Sequence, residues 1–179
     1  MMKSFHTKKT PGLVSGFTLI ETLVSLFIFA SSITVLLYVS AQGIFDTNYA
    51  KNKSTAIFLT QEGVELARNY RDTSMISGMS WGNFVNSITP SGGDSYIIDP
   101  LTQDPWTYTG QYLDYNSSTG FFGYGSGNTT RFRRIISFDY AGLDSTKELR
   151  ITSAVEWSHG LTTRTISASE IISSWMVPF

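Results

Sequence analysis

Few residues in this chain of 179 amino acids are of a type and spacing that could carry out chemistry. A catalytic triad needs a histidine oriented beside a nucleophile. The two histidines stand in a basic N-terminal stretch (His6) and in a predicted turn (His159), where we expect a solvated side chain. The absence of cysteine excludes disulfides, thiolate nucleophiles and cysteine–zinc sites, and no glycine-rich phosphate-binding loop occurs. We therefore predict that the protein is not an enzyme.

Carboxylates in the middle of the chain are the candidates for metal binding. They lie in a segment rich in glycine, serine and tyrosine, at Asp94, Asp99, Asp104 and Asp114. Oxygen ligands suit calcium, although the spacing matches no EF-hand loop. Asp99 and Asp104 are the candidate calcium ligands, solvated loop carboxylates being the default, and we expect no other cofactor. A formal net charge of −1 gives no indication of a nucleic-acid partner.

A different kind of chemistry is indicated by Glu21, the one charge in a long apolar stretch. Residues 17–39 comprise 16 apolar and 7 polar side chains, and no charged residue occurs from Thr22 to Phe45. A helix of that length matches the hydrocarbon core of a bilayer, which is roughly 30 Å thick. A charge at the centre of such a helix costs about 2.5–3.5 kcal/mol. Glu21 therefore either reaches the headgroups at the membrane interface or pairs with a positive group that assembly supplies.

The residues before the apolar stretch are basic and predict its orientation. Lys3, Lys8 and Lys9 are not balanced by any acid among the first 16 residues, so the positive-inside rule predicts a cytoplasmic N-terminus and an exported remainder. A secretory signal peptide is the first alternative, but its apolar core runs to about 7–15 residues and ends at a small-residue cleavage site. Neither feature is present here. A plain single-pass membrane anchor is the second alternative.

The sequence Gly16-Phe17-Thr18-Leu19-Ile20-Glu21, between the basic leader and the uncharged run, resembles the processing site of type IV prepilins and type II secretion pseudopilins. The resemblance implies that a membrane prepilin peptidase cuts between Gly16 and Phe17 and methylates the new α-amine of Phe17. It also implies that Glu21 neutralises the amine of a neighbouring subunit during filament assembly. Opposite charges in a low-dielectric helix bundle attract strongly, whereas either one alone is heavily penalised.

The same resemblance implies partners and a location. The partners are the prepilin peptidase, other pilin or pseudopilin subunits, an inner-membrane assembly platform and the lipid bilayer. Before assembly the chain is a single-pass protein of the cytoplasmic (inner) membrane, and afterwards it belongs to a cell-surface or periplasmic filament. Some secretion pseudopilins bind calcium in a loop, and Asp104-Pro105-Trp106 is similar to that group. The absence of the cysteine pair that many pilins carry favours a minor pilin or a pseudopilin.

Hydroxyl side chains in and beside the apolar stretch admit two interpretations. They either allow close approach and hydrogen bonds between helices or bond to carbonyls of their own helix. The set is Thr18, Thr22, Ser25, Ser31, Ser32 and Thr34.

The helical pattern continues beyond the membrane stretch. Apolar or small residues recur at spacings of 3, 4 or 7, which predicts an amphipathic helix; they are Phe45, Tyr49, Ala56, Leu59, Gly63, Leu66 and Tyr70. We expect one helix from Thr18 to about Tyr70, since no proline interrupts it. Gly43 and Gly63 each weaken a helix by about 1 kcal/mol relative to alanine, and they either permit bending or are simply tolerated.

The remainder divides into a loop-rich segment and a sheet. Residues 71–78 are predicted to leave the helix, and a short strand is predicted at Ser95–Ile98. Aromatic side chains of the loops are expected to cover the sheet or the helix; they are Trp106, Tyr108, Tyr112, Tyr115, Phe121, Phe122 and Tyr124. Alternation with a period of 2 predicts strands at 132–140 and 149–157. A turn at 158–160 then leads to a returning strand at 161–169.

These patterns together predict an α+β, type IV pilin-like fold. A long N-terminal helix, transmembrane in its first half, packs on a small C-terminal antiparallel β-sheet that buries its apolar stripe. The expected organisation is a cleaved leader (1–16), a transmembrane helix (17–39), an amphipathic continuation (40–70) and a globular head (71–179). The head comprises a variable loop region (71–130) and the antiparallel sheet (131–172).

The predicted function is that of a structural subunit, a minor pilin or pseudopilin, of a type IV pilus or type II secretion-like filament. It is processed after Gly16 and assembled through its N-terminal helix. The alternative is an unprocessed, single-pass membrane-anchored extracellular binding protein. That alternative predicts an intact leader and tolerance of Glu21→Leu.

Overall fold

The computed structural model describes residues 16–88, 95–140, 144 and 147–174, in which two helices and eight strands occur. The helices are α1 (Leu19–Ile76) and α2 (Trp81–Ile88). The first strands are β1 (Ser95–Ile98), β2 (Pro105–Thr107), β3 (Asp114–Asn116), β4 (Phe121–Gly123) and β5 (Asn128–Thr129). The long strands follow as β6 (Phe132–Asp139), β7 (Glu148–His159) and β8 (Thr162–Ser173). The predicted leader therefore lies outside the described residues except for Gly16, and so do Asp94 and the C-terminal residues 175–179.

Helix α1 ends later than the sequence pattern predicts. It continues to Ile76 and closes with a glycine in the left-handed region, Gly78 (φ 88°). The Gly78 amide donates to the carbonyl of Met75 and the Met79 amide to that of Ser74, both at 3.0 Å. This pair of bonds is the Schellman arrangement, which satisfies the last carbonyls of a helix. The predicted departure from the helix over 71–78 is therefore wrong for all but its last two residues.

The chain divides into two compact units, Met1–Asp46 and Thr47–Phe179. The described part of the first unit is helical from Leu19 onward, and every residue of it is exposed. The second unit contains the remainder of α1, the short helix α2 and all of the strands. It is the unit that has a buried core.

A five-stranded sheet in the order β2-β1-β6-β7-β8 forms the centre of the second unit, and all of its strand pairs are antiparallel. A three-stranded sheet in the order β4-β3-β5 accompanies it. Strands β7 and β8 pair along their whole length, from Glu148↔Ser173 to His159↔Thr162. Gly160 (φ 61°) has the positive φ that two-residue hairpin turns need at their first central position.

Burial alternates strictly along β6 and β7, as expected for strands with one face on a core. One cluster joins Leu66 and Ala67 of α1 to Phe84 of α2 and Ile136 of β6. A second cluster contains Ala56, Leu59, Leu113, Phe132, Val155 and Trp157. The α+β class, with a long apolar N-terminal helix packed on antiparallel sheets, is thus confirmed. The segment predicted to be irregular also contains α2, β2 and the small sheet, which the sequence pattern did not predict.

Candidate functional site

The predicted processing site lies at the start of α1. Gly16 and Phe17 precede the helix and are exposed. Thr18 caps the helix, because the backbone amide of Glu21 donates to the Thr18 hydroxyl (3.4 Å) and to the Thr18 carbonyl (3.1 Å). Glu21 itself is in the first turn, where a negative charge is favoured by the helix dipole.

The residues Thr18 to Glu21 also have the spacing of a capping box, in which a Thr cap is followed three residues later by Glu. The T-x-x-E spacing before an apolar run is the usual sequence signal of this role. A local explanation for Glu21 therefore stands beside the predicted role in assembly. The two explanations differ in whether the negative charge itself is required.

The apolar residues that follow Glu21 have no core to enter. The most apolar 18-residue window of α1 has a mean hydropathy of 2.2, and none of its residues is buried. Large side chains such as Phe27, Phe29 and Leu36 are each more than half exposed. Soluble monomers rarely expose so many large apolar side chains in one continuous stretch. This helix is long and apolar enough to span a membrane, by its length and composition.

Hydroxyl groups within the apolar stretch bond to carbonyls of their own helix. Ser25 donates to Glu21 (2.8 Å), Ser32 to Ile28 (2.7 Å), and Thr34 to Ala30 (3.0 Å). Thr22 and Ser31 also donate within the helix. Of the two interpretations of these hydroxyls, the single chain therefore adopts the local one, and their backbone bonds satisfy them in an apolar medium.

The most unusual residue of the second unit is Arg134, which sequence reasoning missed. It lies on β6 with none of its side chain exposed. Its Nη1 donates to Oε2 of Glu62 on α1 at 2.8 Å, and its Nη2 donates to the carbonyl of Ile98 on β1 at 3.1 Å. The guanidinium thus links α1 to two strands. Its position two residues after Phe132 and two before Ile136 was the available signal, because the period of a strand places all three on one face.

Gly63 lies beside this ion pair and is required by the close approach of helix and sheet. A β-carbon at position 63 would lie 2.2 Å from Oγ of Ser153 and 2.9 Å from Cδ of Arg134. At Gly43, by contrast, a β-carbon would meet no atom within 4 Å. Of the two glycines predicted to weaken the helix, only Gly63 has a packing reason to be glycine.

Both carboxylate oxygens of Asp99 accept hydrogen bonds from backbone amides of the neighbouring loops. Its Oδ1 accepts from the amides of Leu101 (2.8 Å) and Thr102 (3.3 Å), and its Oδ2 accepts from the amide of Tyr124 (2.9 Å). Asp114 accepts from the amide of Gly125 at 3.0 Å. Within the described residues no cluster of three or more metal-ligating side chains occurs. The calcium site at Asp99 and Asp104 remains a prediction.

Tyr124 carries a strongly shifted acidic group near this loop. Burial raises the pKa of the Tyr124 phenol from 10.0 to about 12, and the positive charge of Arg134 opposes that effect only in part. The phenol therefore stays protonated at neutral pH. It lies near Arg134 as a neutral polar group.

His159 is less exposed than predicted. It ends β7, is half-buried, and its ring centroid lies 5.1 Å from that of Tyr49 on α1. The expectation of a solvated turn residue is wrong because the hairpin turn begins only at Gly160. The ring packs against the helix and fastens this end of the sheet to it.

The loop aromatics are divided between core and surface. Phe122 and Tyr124 pack against the cluster of Leu59 and Trp157. Four others remain exposed, namely Trp106, Tyr112, Tyr115 and Phe121. The expectation that these side chains cover the sheet or helix therefore holds for part of the set.

No protein-family model, curated protein or solved structure matches this chain.

Proposed function

We propose that this protein is a structural subunit, of the minor pilin or pseudopilin kind, that assembles into a filament through its N-terminal helix. The observation that carries the proposal is the coincidence of two features at one place. The sequence Gly16-Phe17-Thr18-Leu19-Ile20-Glu21 stands at the boundary of a segment whose apolar side chains are all exposed. The processing motif alone is only a six-residue match. An exposed apolar helix alone would support a membrane anchor but not a filament subunit.

The physical logic of the proposal concerns two charges. Cleavage between Gly16 and Phe17 by a prepilin peptidase creates an α-amine at Phe17, which the same enzyme methylates. That amine and the Glu21 carboxylate of a neighbouring subunit each carry a charge that lipid or a helix bundle penalises. Bringing them together removes both penalties and selects one register between neighbours. The exposed apolar side chains then pack on those of other subunits within the filament.

The second unit is displayed by this assembly and supplies the part that differs between subunits. The chain begins as a single-pass protein of the inner membrane and reaches a cell-surface or periplasmic filament through an inner-membrane assembly platform. Contacts between related helices in a head-to-tail manner give an open fibre and not a closed ring. The role proposed is structural and involves no catalysis by this chain.

The experiment that tests the proposal is the intact mass, with N-terminal fragmentation, of the protein isolated from its native membrane. We expect a chain that begins at Phe17 and carries one added methyl group on its amine. Gly16→Leu is expected to keep the leader, whereas Gly12→Leu, a change at the other leader glycine, is expected to be processed normally.

A chain that still begins at residue 1 or 2, in cells with an active prepilin peptidase, contradicts the proposal. It would favour the unprocessed, membrane-anchored binding protein instead.

A further inference from the structure

The outer edge of the five-stranded sheet is a long strand without a partner among the described residues. β8 is the last strand in the sheet order and runs for 12 residues. It contains no proline and is rich in serine, threonine and isoleucine. A long edge strand of this composition is a template for pairing with another strand unless something protects it.

The hydrogen-bond pattern shows which backbone groups point outward from β8. The Ser174 amide donates to the carbonyl of Lys147 at 2.8 Å, so even-numbered residues of β8 bond to β7. The neighbouring strand β6 agrees with this assignment. The Phe132 carbonyl accepts from the Leu113 amide and so points away from β7, which leaves Trp157, its partner on β7, to bond to β8. In an antiparallel ladder the other residues then face away. Those with outward amides and carbonyls are Thr163, Thr165, Ser167, Ser169 and Ile171.

The C-terminal end of this edge is already closed within the chain. The carbonyl of Ser173 is an outward group, and Nη1 of Arg71 donates to it at 2.9 Å. The bond agrees with the outward direction of odd-numbered residues. It also confines the open part of the edge to residues 163–171.

Two opposite charges stand symmetrically about the middle of the open edge. Arg164 and Glu170 lie three residues before and three residues after Ser167, both on the face that packs against α1. The Glu170 side chain is 36% exposed and bonds to Arg68 of α1. Arg164 is exposed and makes no ion pair with any residue that the structure describes.

We propose that β8 pairs antiparallel with β8 of a second copy, about a two-fold axis at Ser167. In this register Ser167 faces itself and Thr165 faces Ser169, so the outward backbone groups meet. Arg164 of each copy then stands opposite Glu170 of the other, in a non-hydrogen-bonded pair, where side chains approach most closely. A shift by two residues would place Arg164 opposite Ala168 or Ile172, so that Arg164 of one copy no longer faces Glu170 of the other. The charges therefore select one register.

The direction of β8 determines which copies can meet. Near the start of β8, His159 contacts Tyr49, and at its end Ser173 accepts from Arg71. β8 thus runs in the same direction as the part of α1 in the second unit. In an antiparallel pair the part of α1 in the second unit therefore points in opposite directions in the two copies. The contact is made by the second unit alone, is separate from assembly through the N-terminal helix, and does not depend on the proposed function.

The test uses the absence of cysteine in the natural chain. The full-length protein carrying Ser167→Cys is purified in detergent and treated with a short bismaleimide, and covalent dimer is measured by gel electrophoresis. Cysteines at the two-fold axis lie about 5 Å apart and should crosslink. Thr163→Cys is the matched control, since the two copies of residue 163 lie on the order of 26 Å apart in this register.

Charge variants in the Ser167→Cys background test the register. Arg164→Glu places two acids opposite one another at both ends of the pair and is expected to lower the dimer yield about tenfold. Arg164→Lys keeps the charge and should preserve most of it. Because Arg164 has no ion pair within the described chain, neither change should alter the unfolding temperature.

Dimer from Ser167→Cys, none from Thr163→Cys and sensitivity to Arg164→Glu together support the proposal. Equal crosslinking at positions 163 and 167 would mean random encounter and overturn it. No crosslinking at either position would overturn it as well. In that case Arg164 and Glu170, on the face of β8 that packs against α1, would serve to prevent the edge from pairing. A yield unchanged by Arg164→Glu would contradict the proposed register. A crosslink in native membranes to a different protein, in place of a second copy, would contradict the proposed partner.

Discussion

At the scale of single residues, Glu21 has two physical roles that can be separated. Its spacing from Thr18 is that of a capping box, in which the side chain would stabilise the start of α1 and glutamine serves almost as well. As the partner of a neighbouring amine it must be charged. The local role needs only the geometry seen around Thr18, whereas the assembly role needs a second subunit.

We predict that Glu21→Gln and Glu21→Leu both prevent entry into filaments. Either change leaves the methylated amine of a neighbour without its counter-charge in an apolar bundle, which costs about 3–5 kcal/mol and is a loss on the order of a hundredfold or more. The measurement is the fraction of protein in sheared filaments relative to the membrane, by immunoblot. Normal assembly of Glu21→Gln would leave only the capping role, and normal assembly of both variants would indicate an interfacial side chain.

At the scale of elements, the helix of the second unit is fastened to the sheet at several points along its length. Tyr49 contacts the ring of His159, Glu62 bonds to Arg134, and Arg68 bonds to Glu170. The hydrogen bond to Glu170 also raises the pKa of Arg68. Gly63 stands between these points, where helix and sheet approach too closely for a β-carbon.

We predict that Gly63→Ala destabilises the second unit by about 1–3 kcal/mol, although alanine favours helix, because the added methyl overpacks the contact with Ser153 and Arg134. Gly82→Ala is the control, since a β-carbon at that helical position meets no atom within 4 Å. It should be neutral or stabilising. The measurement is thermal unfolding followed by circular dichroism.

Ser153→Ala should partly rescue Gly63→Ala. The Ser153 hydroxyl is buried and has no hydrogen-bond partner within the described residues, so its removal costs little and relieves the shortest contact. Additive effects of the two substitutions would contradict a direct contact between them. A Gly63→Ala protein as stable as the wild type would show that the helix can shift away from the sheet.

At the scale of the whole molecule, the two units differ in how much of their apolar surface the chain itself buries. The described residues of Met1–Asp46 bury nothing in the chain itself, whereas Thr47–Phe179 encloses both core clusters. Apolar surface of the first kind requires lipid or other helices, since water penalises it in proportion to its area. The second unit buries its own apolar core between helix and sheet.

We predict that a fragment consisting of Thr47–Phe179 folds and stays in solution without detergent, whereas a chain beginning at Phe17 needs detergent. The helical residues from Thr47 onward remain with the sheet that buries them. A fragment beginning at Gly63 should be unfolded, because it lacks Ala56, Leu59 and Glu62. Circular dichroism and sedimentation velocity provide the measurements, and aggregation of Thr47–Phe179 in buffer would contradict the independence of its core.

The sequence by itself determined the features that depend on local pattern. The apolar stretch, its single charge and the alternation of β6 and β7 are periodicities that physics ties to a helix or a strand. The processing motif is likewise a local pattern, from Gly16 to Glu21, and the proposed role as a filament subunit depends on it. The later end of α1 at Gly78 was also readable in principle, since glycine is the usual residue after a helix.

Only the tertiary structure decided the features that depend on residues distant along the chain. The sequence pattern alone suggests that Arg134 is a surface residue, but in the fold it is buried and bonds to Glu62. The pattern likewise suggests that Gly63 only weakens the helix, but in the fold Ser153 leaves no room for a β-carbon there. The outer position of β8 follows from the order of all five strands, which no single segment specifies. The periodicity of apolar residues shows which face of a helix or strand is apolar. The neighbour that covers that face is determined by the packing of the whole chain.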